Sequence, residues 1–155
     1  MNTGILKYIE NCEYKIYKKN LQHKCRGSYQ NYYFVVKETK IIDVFWEKEV
    51  NEVIKERLSY NNIDLIVYKV VERINDKYFS FWNNNHIEYI VNEELKCHTE
   101  QGFFFCKSIE QAKNENFSNR TDISKLKAKV KIDDLIGGNL RDLQFSRCIP
   151  IEIID

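Results

Sequence analysis

The chain has 155 residues, 43% of them apolar and 14% aromatic, with ten tyrosines, nine phenylalanines and a single proline. That length and apolar content exclude a disordered chain and give enough material for one compact domain with a real core. Lys and Arg total 24 against 23 for Asp and Glu, a net charge of +1 that supplies no global attraction to nucleic acid or an anionic membrane.

In chain order, "TGILKYIENC" spaces Ile5, Leu6, Ile9 and Cys12 at helical intervals, which predicts a first helix. "EYKIY" and "NYYFVVKE" read as strands separated by the polar "KKNLQHKCRGSYQ". A longer helix is predicted over "WEKEVNEVIKERLS", with Trp46, Val50, Val53, Ile54 and Leu58 on one face and Asp43 as its cap. "IDLIVYKVV" is apolar on both alternating faces, the pattern of a buried central strand. "KYFSFW" and "HIEYIV" follow as its neighbours, with "NNN" as their turn.

"GFFFCKSIEQAKNE" is then an aromatic strand running into a short helix, because Ser108 and Gln111 are spaced as a capping box. Strand alternation sends Phe103 and Phe105 to one side and Phe104 to the other. In "KLKAKVKI" the apolar residues alternate with Lys125, Lys127, Lys129 and Lys131, a half-exposed strand whose basic face protects a sheet edge. "DDLIGGN" reads as a turn, and "LRDLQFSRCIPIEII" as one or two closing strands around Pro150. These elements predict an α+β fold: a mainly antiparallel twisted sheet with two or three short helices, in one domain over 1–155. Strand-strand-helix similarity between "YKI…YFVV…FWEKEV" and "YKVV…YIV…FFCKSI" leaves room for an internal duplication, with halves over about 1–60 and 61–155.

Five cysteines in no regular framework fit reduced thiols in a cytoplasm. The opening residues lack a basic segment followed by a long apolar run, so no signal peptide is expected, nor any contact with a membrane. His23, Cys25, Cys97, His98 and Cys106 lack the paired spacing of a zinc site, and no metal or other cofactor is expected. Cys106 could pair with His86 or His98 as a nucleophile, although unpaired cysteine is a common core residue. "IGGN" is no phosphate-binding loop, and the Asp133-Asp134 and Glu93-Glu94 pairs read as solvated turns.

"VYKVVERINDKYFSFW", "IEYIVNEE", "GFFFCKSIEQAKN" and "KLKAKVKIDDLI" together resemble a group of small phage and large-DNA-virus proteins. "YKIYKKNLQHKCRG" is similar to the opening of other phage proteins. This resemblance implies a viral accessory role in the host cytoplasm, with a host or host-defence protein as partner. "GFFFCKSIEQAKN" followed by "KLKAKVKI" also resembles ADP-ribosyltransferases, in which such a strand and helix border the nicotinamide pocket. That similarity implies a cleft lined by Tyr68, Lys69, Tyr78, Tyr89 and Phe105. Lys69 stands where the family has Arg or His, and Glu152 is the glutamate on a late strand.

Three functions follow from these readings. The first is a non-enzymatic protein-binding module, carried by abundant Tyr and Trp. The second is a transferase-like enzyme or nucleotide binder. The third is a nucleic-acid-binding module, using Lys125, Lys127, Lys129 and Lys131 with Tyr78, Phe79, Phe81 and Trp82 as stacking rings.

Overall fold

The computed structural model describes residues 3–22, 29–46, 52–81, 87–97, 102–114 and 122–154. Strands dominate, and the fold is α+β with a mainly antiparallel mixed sheet.

The first half begins with α1 (Thr3–Ile9) and continues as an antiparallel meander of β1 (Lys15–Gln22), β2 (Tyr29–Lys37) and β3 (Lys40–Trp46). Glu38 turns the second hairpin with a positive φ of 57°. Both faces of the meander are covered. Phe34 and Val36 enter the main core, while Ile16 and Tyr33 meet Ile5 of α1 and Ile54 of α2 (Glu52–Glu56) in a smaller cluster. An unbroken run such as "YYFVV" is what two-sided burial requires.

Three expectations change here. The polar "KKNLQ" is the second half of β1, with Leu21 buried. "KIIDVFW" is a strand, so Trp46 ends β3 opposite Tyr32 and belongs to no helical face. Asp43 is a strand residue whose carboxylate accepts the Tyr8 hydroxyl at 3.2 Å, not a helix cap. Pairing with β2 outcompetes the helical spacing between Trp46 and the residues after it: across a bulge, Ile41 and Val44 enter the main core and Phe45 packs on the smaller cluster. Residues 47–51 lie outside the described residues.

β4 (Asp64–Ile74) is the organising strand. One edge pairs with β9 (Ile123–Lys131) from Asp64↔Lys131 to Glu72↔Ile123. Its other edge is shared in succession by β3, at Lys40↔Ile66, by β8 (Phe103–Cys106), at Tyr68↔Cys106, and by β5 (Lys77–Phe79). Asn75 and Asp76, at φ 51° and 62°, close the β4–β5 hairpin in the left-handed region that Asn and Asp tolerate. β5 continues to β6 (Glu88–Tyr89); the "NNN" turn at 83–85 lies outside the described residues. The two similar halves pair differently, since β1 meets β2 directly whereas β5 separates β4 from β6.

Ser108 caps α3 (Ile109–Lys113): its hydroxyl accepts the Gln111 N–H at 3.2 Å, and the Gln111 side chain accepts the Lys107 N–H at 3.2 Å. "DDLIGGN" is not a simple turn. Ile132–Asp134 form a 3-10 turn, and Leu135–Gly138 form β10, paired with β11 (Asp142–Phe145), which in turn pairs with β8. β12 (Arg147–Ile154) closes the chain between β9 and β7 (Leu95–Lys96). The lysine strand β9 is therefore interior to the sheet, flanked by β4 and β12, and its lysines protect no edge. The sheet curls until β10 comes alongside β1, where Lys19 and Asp133 pair at 3.4 Å.

Candidate functional site

Alternation along β4 turns Leu65, Val67, Lys69 and Val71 to the inner face of the sheet and Asp64, Ile66, Tyr68 and Val70 to the outer face. Lys69 is the charged residue in an otherwise apolar inward row. Its Nζ donates to the Tyr89 hydroxyl at 2.6 Å and lies over the rings of Tyr89 and Phe105, 4.6 and 5.3 Å from their centroids. Phe103 meets Tyr89 edge-on, and Phe145 does the same to Phe105. The ring faces carry the negative end of the aromatic quadrupole, which holds the ammonium where an apolar wall would reject it.

Burial pushes the Tyr89 phenol above its ordinary pKa, and the neighbouring Cys148 and Cys97 thiols add to the effect. Burial likewise pushes Cys148 up to about 12, against the opposing pull of Lys69. Both groups are protonated at neutral pH, so the cluster holds one cation, one phenol and a buried neutral thiol. Such a thiol is not a nucleophile.

The structure thus brings Lys69, Tyr89 and Phe105 together. Tyr78 stands opposite Tyr89 in the β5–β6 ladder and packs against the same core. Tyr68 is not part of the group, because it faces outward beside Lys127. Glu152 is also on the outer face, paired with Lys127 at 3.9 Å. Lys69 and Glu152, the two positions that transferase chemistry would need in one cleft, face opposite sides of the sheet. Among the described residues, β4 and β8 are direct ladder neighbours at Tyr68↔Cys106, where the transferase reading places the cleft.

On the outer face Lys125, Lys127, Lys129 and Lys131 form a row along β9, with Leu126, Ala128 and Val130 buried behind it. Lys131 pairs with Asp64 at 3.0 Å. Beside this end of the row lies an open groove of about 130 Å³, bordered by Asp64, Lys129, Lys131, Asp134, Glu94 and Arg147. Arg147 and Glu94 pair across it at 3.3 Å. Arg147 and Cys148 carry no motif in the sequence and Glu94 stands out there only as half of an acidic pair; the β7–β12 pairing brings them here.

Cys106 is buried at the end of β8, while its possible partners His86 and His98 lie outside the described residues, as do His23, Cys25 and Trp82. Among the described residues no three His, Cys, Asp or Glu side chains are gathered to hold a metal ion. No helix among them is long and apolar enough to cross a membrane. No protein family, curated protein or solved structure matches the chain.

Proposed function

We propose that the chain is a non-enzymatic protein-binding module, a viral or phage accessory protein that engages a host or host-defence protein in the host cytoplasm. The observation that carries this reading is a pair of large aromatics left in water at the same end of the meander: Tyr29, 67% exposed on β2, and Trp46, 47% exposed at the end of β3, which alternation from the Tyr32↔Trp46 pair sends to opposite faces of the sheet. Large aromatics left in water are the residue types that anchor protein interfaces, because each offers wide apolar area with few rotamers to freeze. The separation of Lys69 from Glu152 by the sheet removes the support that a transferase reading would need.

The test is affinity capture from host lysate with the wild-type chain and with Tyr29→Ala/Trp46→Ala, both shown folded by circular dichroism. One stoichiometric protein recovered by the wild type and lost by the variant is expected. Equal recovery by both, or none by either, rejects the reading. Label transfer from NAD to lysate proteins, abolished by Lys69→Ala, would put the transferase in its place.

A further inference from the structure

Four lysines on one strand have a ready explanation when the strand is a sheet edge, and β9 is not one. What the row presents is a basic strip in the middle of the outer face. In register beside it on β4 are Val70, Tyr68, Ile66 and Asp64. Glu152 and Asp64 neutralise Lys127 and Lys131, so the four lysines exceed the carboxylates paired with them. Tyr68, half-buried beside Lys127, turns its ring to the same face. α3 packs against β4, β8 and β9 and borders the strip.

We infer that this face binds an extended single-stranded nucleic acid. Alternate residues of a strand repeat at about 6.6–6.8 Å. Each strand of a duplex carries one phosphate per about 3.4 Å of helix axis and winds away from any straight line, whereas an extended single strand can lay successive phosphates along a straight row of ammonium groups. A single row of ammonium groups follows one backbone, and Tyr68 supplies a ring on which a base stacks. With a net charge of +1 the attraction is local to the strip, and contacts to phosphates carry no base specificity. Affinity at physiological salt therefore falls in the ordinary non-specific range of about 10⁻⁴–10⁻⁶ M. This inference is independent of Tyr29 and Trp46 and stands or falls separately.

The experiment is fluorescence anisotropy of a labelled oligothymidylate titrated with the full chain, repeated across a salt series from about 50 to 200 mM. The expected log–log slope is about −0.7 for each phosphate neutralised, hence about −1.4 where only Lys125 and Lys129 engage and about −2.8 where phosphate also displaces Glu152 and Asp64. Lys125→Gln/Lys127→Gln/Lys129→Gln/Lys131→Gln weakens binding at least about tenfold and flattens the slope. The milder Lys125→Gln/Lys129→Gln, which leaves both ion pairs in place, shows an intermediate loss and guards against a folding artefact. No saturable binding at the lowest salt overturns the inference, as does binding that the fourfold variant leaves unchanged. Equal affinity for polyglutamate also overturns it, and marks the strip as a surface for acidic protein.

Discussion

Lys69 and Tyr89 form a polar pair set into an aromatic core, and a double-mutant cycle measures what that pair is worth. Tyr89→Phe keeps the ring under the ammonium but removes the acceptor that lies 2.6 Å from Nζ. A hydrogen bond to a charged group contributes about 1.5–3 kcal/mol, and since Lys69 is half-buried the lower part of that range applies, about 2 kcal/mol. Lys69→Met keeps the length of the side chain but leaves the Tyr89 hydroxyl, on a residue only 2% exposed, without its amine, again costing about 1–3 kcal/mol. Replacing both partners with apolar groups of similar shape leaves nothing stranded, so the double variant should stay within about 1 kcal/mol of wild type. At about 2–4 °C per kcal/mol, each single variant loses about 4–8 °C in Tm and the double variant recovers most of it. Urea denaturation of all four proteins yields the coupling energy directly. If the single losses simply add, to about 4 kcal/mol in the double variant, the pair is not a coupled unit and the reasoning fails.

Stability should fall at high pH. The folded Cys148 thiol holds its proton to about 12 against an ordinary 9.0, and Tyr89 is shifted the same way. Each contribution is therefore complete below the unfolded pKa and is lost as pH climbs towards the folded one. For the thiol that window runs from 9 to about 12 and spans at most about 4 kcal/mol. Cys148→Ala should flatten the decline in urea-derived stability over that window; profiles that run parallel for variant and wild type contradict the assignment. Gly102, at φ 65°, opens the aromatic strand, and a Cβ there would meet the Phe145 carbonyl oxygen at 2.7 Å. Gly102→Ala should cost more than about 1 kcal/mol by thermal denaturation, and an unchanged Tm would show that the backbone relaxes there at no cost.

Elements with a single strong signal were legible in the sequence. The capping box at Ser108 and Gln111, the strand run of β4 and the alternation of β9 all depend on neighbours in the chain, and each is present, although β4 is buried mainly on its inner face and β9 is no edge. Where two periods competed, the reading failed. Trp46 fits both the end of "IIDVFW" and the start of a helical face, and pairing with β2 decides for the strand. β10 hid in "LIGG" because two glycines suggest a turn, and only its partner β11 makes it a strand. The inner cluster was half legible for the same reason. Lys69 and Phe105 face inward by alternation within their own strands, whereas the contact with Tyr89 depends on β6 folding back over them.

Glu152 shows most sharply why local pattern cannot assign a site. β12 starts in register with β9 at Ile149↔Lys129 and Pro150↔Ala128, which would carry Ile151 opposite Lys127 and Glu152 opposite Leu126. Leu126 is the β9 neighbour of Lys69, so in that register Glu152 would face the core with Lys69, as a transferase-like cleft demands. A bulge between Pro150 and Glu152 shifts the pairing by one residue, to Glu152↔Lys127 and Ile153↔Leu126. A one-residue shift exchanges faces: Glu152 turns out to Lys127, and Ile153 packs against the core in its place. Proline has no N–H to give the ladder and is accommodated at edges and bulges, so the chain's single proline stands where the register changes. A carboxylate at Leu126's side would have to be desolvated in the core even with Lys69 on the same face, and the bulge puts an isoleucine there instead. The register that stabilises the core is the one that keeps Lys69 and Glu152 apart.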